Sequence, residues 1–332
     1  MTATGAPAAE TPPPLHQTDA VSPPPGGETF WMRAADGVRL RGAHWPPAEA
    51  APRRGAALLF QGRTEFIEKF YEPIARLQAL GLSVTTLDWR GQGLSDRPLG
   101  DRRRGHVADF AAYQSDVDVV LAPFAERGAS GARVLIAHSM GGAIAARALM
   151  RQQAGALRLE PGFAAAILSA PMLGLHGAAG GGVAGAAAAT LSGIGWAEAY
   201  APGGSPAPLS ESGFEDNPLT SDRDRFERVY AAMIRAHPEL ALGGATWGWL
   251  RAARREMPQL RPTATPVLVA IGDAEAVVSQ SAAARYAEGA PEGALLRLAG
   301  GARHEPFLET DALQERLWSA IAAFLDRWAP AA

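Results

Sequence analysis

The stretch "IAHSMGGAIAARA" (residues 136–148) decides the fold, because it combines the end of a strand, a sharp corner and the start of a helix. The apolar residues before the corner are typical of a buried strand, and the alanine-rich residues after it predict a helix. Ser139 stands at the corner, followed by Met140 and Gly141. A serine in this position is either a nucleophile held above the sheet or only the N-cap of the helix. The strand, the helix and the glycine pair together favour the nucleophile.

Apolar runs followed by helical patterns recur on both sides of this stretch. These runs are "AALLF" (56–60), "SVTTLDW" (83–89), "AAAILSA" (164–170), "PVLVAIG" (266–272) and "ALLRLAG" (294–300). Strands that alternate with helices predict a parallel sheet covered by helices on both faces, which is the α/β class.

The alternation stops between about Met172 and Pro262, where the sequence is first rich in glycine and alanine and then helical. This part has no strand pattern, so we expect a helical insertion between two strands of the sheet. The predicted organisation is an α/β core of residues 29–172 and 263–332, with a helical cap of residues 173–262.

Two further segments bear on where the protein resides. Residues 1–28 are rich in proline and poor in large apolar side chains, which predicts a disordered or extended tail without the pattern of a secretory signal. Residues 177–195 contain G-x-x-x-G spacing but lack a core of large aliphatic residues, so we expect no membrane-spanning helix there. We therefore expect a cytoplasmic protein.

Composition excludes several classes of function. The formal net charge of −3 is too small to indicate a nucleic-acid partner. The chain has no cysteine, which excludes disulfides, thiolate metal sites and a cysteine nucleophile. Its seven histidines show no H-E-x-x-H or similar ligand spacing, so we expect neither a metal nor another cofactor.

A serine nucleophile needs a base that takes its proton and an acid that orients the base. In a strand-to-helix elbow the chain order is serine, acid, histidine, each after a later strand. Asp273 and Glu275 follow the next-to-last predicted strand, and His304 follows the last one. We therefore predict His304 as the base and Glu275 as the acid, with Asp273 in reserve. His138 is adjacent to Ser139 and is expected to point away and pack.

The same chemistry needs two backbone amides that hold the developing oxyanion. One is the amide of Met140, directly after the serine. The other is predicted at Arg63 in "QGRTEF" (residues 61–66), where Gly62 lets the chain turn after the first core strand. An ordinary tight turn is the alternative interpretation of this loop.

With these residues placed, the sequence resembles the α/β-hydrolase superfamily, and within it the bacterial lysophospholipase and monoacylglycerol lipase branch. The motifs that carry the resemblance are "FQGRTEFIEKFYEPIARL", "LDWRGQGLSDR", "IAHSMGG", "NPLTSDRDRFERV", "IGDAEAVVS" and "GARHEPFLE". The chain departs from that branch at Gln61, where histidine is usual, and at Glu275, where aspartate is usual three residues after the loop glycine.

The resemblance implies an α/β-hydrolase fold with an eight-stranded, mostly parallel sheet and a helical cap inserted after the sixth strand. It also implies a serine hydrolase that cleaves esters of single-acyl-chain lipids through an acyl-enzyme. The expected partners are a small lipid ester and, transiently, a membrane surface. The sequence does not predict the oligomeric state.

Substrate recognition is expected in the cap. Four aromatic residues there either line a slot for an acyl chain or form the cap's own core: Trp196, Tyr200, Trp247 and Trp249. The basic run of residues 102–104 either meets a phosphate headgroup or is a solvated loop.

Two other functions remain open from the sequence. An aminopeptidase on the same scaffold would need an acidic pocket for the substrate's amine. The acidic residues that the cap offers are Glu198, Glu211, Glu215 and Asp216. A non-catalytic binding protein would be expected to lack one member of the serine, acid and histidine set, and all three are present.

Overall fold

The computed structural model describes residues 10–176 and 196–331. Its strands are β1 (Glu28–Arg33), β2 (Arg39–Trp45), β3 (Gly55–Phe60), β4 (Leu82–Leu87), β5 (Ala132–His138), β6 (Ala165–Ser169), β7 (Val267–Gly272) and β8 (Gly293–Leu298). Its α-helices are α1 (Tyr71–Ala79), α2 (Ala111–Arg127), α3 (Met140–Gln153), α4 (Arg223–Arg225), α5 (Ala232–Ala236), α6 (Trp247–Glu256), α7 (Gln280–Gly289) and α8 (Asp311–Trp328). A π-helical stretch, Phe226–Ala231, joins α4 to α5.

The eight strands form one sheet in the order β1-β2-β4-β3-β5-β6-β7-β8. β2 pairs antiparallel with β1 and β4, and the remaining neighbours pair in parallel. The prediction of an eight-stranded, mostly parallel sheet is therefore confirmed. Because parallel strands end at the same edge, the loops after β3, β5, β7 and β8 can converge on one site.

Both faces of the sheet are buried. Alternate residues of β3 point to opposite faces: Leu58 and Phe60 pack in the layer with α2 and α3, whereas Leu59 packs in the layer with α1 and α8. The central strands are apolar along their whole length because each face is covered by helices. The serine corner after β5 therefore stands on the rigid centre of the fold.

The insertion lies between the end of β6 at Ser169 and the start of β7 at Val267. Its described residues form short helices and no named strand. Phe66 of the core packs with Phe226 and Tyr230 of the insertion in a separate apolar cluster. The insertion is thus attached to the core close to the 61–66 loop.

Of the two alternatives for the N-terminal segment, disordered or extended, residues 10–28 adopt the extended one. This segment packs along the core as an extended strap, and its carbonyls accept hydrogen bonds from core side chains. Trp45 Nε1 donates to the Pro24 carbonyl at 3.1 Å, and the Tyr71 hydroxyl donates to the His16 carbonyl at 2.9 Å. Proline-rich extended chain leaves its carbonyls unpaired, so it can satisfy buried donors without a hydrophobic pattern of its own.

The segment considered above for membrane insertion, residues 177–195, lies outside the described residues. Within residues 10–176 and 196–331, every helix is too short or too polar to cross a bilayer.

Candidate active site

Ser139 occupies a strained corner between β5 and α3. Its backbone has φ 51° and ψ −118°, a conformation that non-glycine residues seldom adopt. A Cβ on Gly141 would lie 2.5 Å from the Gln61 carbonyl oxygen, so a larger residue would push the loop away. The Ser139 side chain makes no capping bond to α3. The helix-cap interpretation therefore has no support in the geometry, and the hydroxyl is available for another partner.

That partner is His304, in the loop between β8 and α8. The Ser139 hydroxyl donates to His304 Nε2 at 2.8 Å, and His304 Nδ1 donates to Glu275 Oε2 at 2.7 Å. All three side chains are buried, and Ser139 is 8% exposed. The structure thus brings together three residues that lie far apart in the sequence, in the order that base catalysis requires.

Glu275 is held as an anion. Its Oε1 accepts the amides of Val277 and Val278 at 2.5 and 3.0 Å. Burial alone would raise the pKa of Glu275, but the hydrogen bond from His304 and these amides outweigh it and hold the pKa below its usual value. A charged carboxylate can fix the His304 tautomer and stabilise the imidazolium when it forms.

Asp273, the reserve acid, does not contact His304. Its side chain is exposed, and its two oxygens accept the amides of Gly300 and Gly301 at 2.9 Å each. Asp273 thus ties together the loops after β7 and β8, and the structure places Glu275 alone of the two against the histidine.

His138 lies behind the serine and does not reach its hydroxyl. Its Nδ1 donates to the Ser169 carbonyl at 3.1 Å, and its ring centroid is 5.0 Å from that of His304. Burial, followed by repulsion from His304, lowers the pKa of His138 to about 3. His138 is a neutral packing residue, as expected.

The loop at residues 61–64 lies against the serine. A Cβ on Gly62 would come within 3.1 Å of Ser139 Cβ. Gln92 clamps this loop by donating to the Gly62 carbonyl at 2.9 Å and accepting the Thr64 amide at 3.1 Å. Among the described residues, the amides of Arg63 and Met140 donate to no partner. Both amides are therefore free to hold an oxyanion.

Lys69, the only lysine of the chain, lies in a buried ion cluster beneath the site. Its Nζ contacts Glu65 Oε1 at 2.9 Å and Glu305 Oε1 at 2.6 Å. Burial alone would lower the pKa of Lys69, but attraction to Glu305 and Glu65 outweighs it and raises the pKa. Glu65 also accepts the Gly62 amide, so the cluster links the 61–64 loop to Glu305, the neighbour of His304.

Replacing Lys69 with methionine should lower the free energy of unfolding by about 3–5 kcal/mol, because two buried carboxylates lose their common cation. Urea unfolding of wild type and K69M measures the change. The matched control is E65Q/K69M/E305Q, which removes all three charges and should recover part of the loss. A K69M variant within about 1 kcal/mol of wild type would contradict a stabilising role of the pairing.

The four aromatic residues of the cap differ in burial. Trp196 is 57% exposed. Trp247 and Trp249 are buried in the large apolar cluster that the cap shares with the sheet and its helices. Tyr200 bridges to Thr246 and is partly buried.

Three contributors to the site could not be found from the sequence: Gln92, Lys69 and the side chain of Arg63. Gln92 lies in the glycine-rich segment after β4, where spacing gives no sign of a contact with the 61–64 loop. Lys69 and Glu305 are 236 residues apart, and pairing over that distance leaves no local pattern.

An eight-stranded sheet of this order, with a serine elbow after β5 and an acid and a histidine after β7 and β8, defines the α/β-hydrolase class. A family model described as "Serine aminopeptidase, S33" matches residues 51–311. The chain belongs to this family of α/β hydrolases.

Similar proteins include lysophospholipases and a lipase. Lysophospholipase L2 of Escherichia coli strain K12 is 33% identical over 292 residues, covering 80% of this chain and 78% of that protein. Probable lysophospholipase L2 of Haemophilus influenzae is 25% identical over 306 residues, covering 90% and 92%. A soluble variant of monoglyceride lipase from Saccharomyces cerevisiae superimposes with a TM-score of 0.67 at 20% identity, covering 96% and 99%, which supports the fold alone.

Proposed function

We propose that this protein hydrolyses carboxylic esters of single-acyl-chain lipids, lysophospholipids or monoacylglycerols, with Ser139 as the nucleophile. The observation that carries the proposal is the hydrogen-bonded line from Ser139 through His304 to Glu275, next to the amides of Arg63 and Met140, for which the described part of the chain offers no acceptor. The names of the lysophospholipase relatives support the lipid substrate.

The proposed mechanism has two acyl-transfer steps. His304 Nε2 takes the Ser139 proton while the hydroxyl oxygen attacks the ester carbonyl carbon, and the carbonyl oxygen becomes an oxyanion held by the amides of Arg63 and Met140. When the tetrahedral intermediate collapses, the ester C–O bond breaks and His304 protonates the departing alcohol. Water then attacks the acyl-enzyme, gives its proton to His304, and releases the fatty acid and Ser139.

Three features would lower the barrier. The strained corner presents the Ser139 oxygen above the sheet without a capping bond that would have to break. Glu275 stays ionised and stabilises the imidazolium of His304 during both steps. The clamp from Gln92 and the Glu65–Lys69 pair hold the oxyanion loop in place before the substrate arrives.

The family description makes an aminopeptidase the second candidate, and the surroundings of the serine argue against it. Such an enzyme needs a carboxylate for the substrate's ammonium group, but the four acidic residues of the cap considered above are exposed. Arg63, at the oxyanion loop, is a cation and would repel an ammonium group. A non-catalytic binding protein is also disfavoured, because none of the three reacting groups is missing.

The test compares p-nitrophenyl decanoate with alanine p-nitroanilide under the same conditions. We expect kcat/KM for the ester to exceed that for the anilide by at least about 10²-fold, since the buried carboxylates near the serine are already paired, Glu65 and Glu305 with Lys69 and Glu275 with His304. Absorbance of the released chromophore measures both rates. A preference for the anilide would replace the esterase proposal with the aminopeptidase.

Contact with a membrane surface is part of the same proposal. The exposed Trp196 ring is suited to the interface between water and lipid, where single-chain lipids collect. The cytoplasmic location stays a prediction.

A further inference from the structure

The side chain of Arg63 lies between the core and the cap. Its Nη2 donates to the Gly243 carbonyl at 2.9 Å, and its guanidinium carbon is 5.2 Å from the centre of the Trp249 ring. A Cβ on Gly105 would overlap Nη2, so the guanidinium is packed against that backbone. The cation is therefore held in one place beside the loop that carries the proposed oxyanion donor.

This cation has no anionic partner among the described residues. Its Nε is buried without an acceptor, and the one hydrogen bond that its guanidinium makes to residues 10–176 and 196–331 goes to the neutral Gly243 carbonyl. Arg41, which is fully buried, differs in this respect, because it pairs with both Glu68 and Asp88. Burial lowers the pKa of Arg63 to about 10, and no carboxylate of the described residues offsets the free-energy cost of burying its charge.

A second unsatisfied donor lies in the same region. The Tyr200 hydroxyl is buried without a partner, and its ring stands 5.8 Å from the guanidinium carbon of Arg104. Tyr200 pairs with Thr246, at the start of the helix that carries Trp249. A fixed cation and an unpaired hydroxyl at one junction are the groups that recognise a phosphate.

We propose that the Arg63 guanidinium binds the phosphate of a lysophospholipid while the Arg63 amide holds the oxyanion of the same molecule, with Tyr200 as an additional donor. This inference rests on the proposed function. About six covalent bonds separate the backbone nitrogen of an arginine from its guanidinium carbon, whose fork fits phosphate oxygens. About as many bonds separate the ester carbonyl carbon of a 1-acyl lysophospholipid from its phosphorus. One residue can therefore span both groups of the substrate.

The basic run at residues 102–104 is the competing phosphate site. Arg104 is ion-paired with Asp101 at 3.2 Å, and Arg102 is exposed. An arginine that already has a carboxylate, or that stands in water, gains less from a phosphate than one that is enclosed and unpaired. Arg63 is therefore the better candidate.

The experiment measures kcat/KM for 1-decanoyl-sn-glycero-3-phosphocholine and for 1-decanoylglycerol, which share the acyl chain and differ by the phosphocholine group. The ratio of the two values is compared in wild type, R63M, R63K and R133M. R133M is the matched control, because Arg133 also donates to a main-chain carbonyl but lies at the opposite end of β5. Melting temperatures show which variants are folded.

We expect R63M to lower the phospholipid-to-glycerol ratio by roughly 10- to 100-fold, the range for losing a charged hydrogen-bond partner. R63K should lie between R63M and wild type, since it keeps the charge but loses the planar fork. R133M should leave the ratio unchanged. A ratio that is the same in R63M and wild type, even if both rates fall, would overturn the inference and make Arg63 a tie between cap and core.

A second measurement does not depend on turnover of the phospholipid. sn-Glycero-3-phosphocholine should inhibit hydrolysis of p-nitrophenyl decanoate competitively, with an inhibition constant at least about 10-fold higher in R63K and R63M than in wild type. Equal inhibition of wild type and these variants would overturn the phosphate site. Wild type that hydrolyses the neutral esters but neither cleaves the phospholipid nor is inhibited would overturn only this inference. Wild type that cleaves no ester would overturn the proposed function as well.

Discussion

Replacing Ser139 with alanine should lower kcat on p-nitrophenyl decanoate by about 10⁶-fold, the scale of loss when a hydrolase loses its nucleophile. Within residues 10–176 and 196–331 no other hydroxyl is hydrogen-bonded to His304, so none is placed to take over the attack. Steady-state assays at saturating substrate measure the change.

The fold should tolerate this substitution. The Ser139 side chain bonds to His304 but not to the helix that it precedes, and alanine fits in the same space. S139A should therefore keep the circular dichroism spectrum and the melting temperature of wild type. A folded S139A that retains more than about 1% of wild-type turnover would exclude Ser139 as the nucleophile.

Replacing Glu275 with glutamine should lower kcat by about 10⁴-fold, although the shape of the side chain is kept. The amides of Val277 and Val278 need an acceptor, so the glutamine oxygen will face them and its amino group will face His304. His304 must then accept at Nδ1 and carry its proton on Nε2, which faces Ser139. In that tautomer the histidine cannot take the serine proton.

Asp273→Asn is the matched control for this result. Asp273 is the reserve acid of the sequence analysis, but its carboxylate binds the amides of Gly300 and Gly301 and makes no contact with His304. D273N should change kcat by less than about 3-fold, since it lies outside the proton path. If D273N lost as much activity as we expect of E275Q, the assignment of the acid would be reversed.

The sheet and the serine corner could be predicted from the sequence because both are local patterns. Alternating strands and helices determine the layers, and the small residues at 141 and 142 are required where the elbow meets the backbone of the neighbouring loop. The placement of His304 near the serine could also be predicted from the sequence, because a parallel sheet brings the loops after its strands to one edge.

The choice between Asp273 and Glu275 could not be made from spacing. Both side chains leave the same loop. Only the fold shows that Asp273 binds the amides of Gly300 and Gly301, whereas Glu275 reaches His304. The cluster around Lys69 and the unpaired Arg63 guanidinium depend on contacts between distant segments, which composition and periodicity do not record. The packing of residues 10–28 against the core could not be predicted for a related reason, because the carbonyls of this strap, rather than its side chains, attach it.

The central claim is that the Ser139 oxygen attacks the substrate and becomes covalently acylated. The most direct measurement is to treat the protein with a fluorophosphonate, which reacts with activated serines, and to locate the adduct by mass spectrometry of its peptides. We predict one adduct per chain on Ser139 in wild type and no adduct in the S139A variant. We also predict that the E275Q variant is labelled much more slowly than the D273N variant. An adduct on another residue, or an active esterase without one, would contradict it.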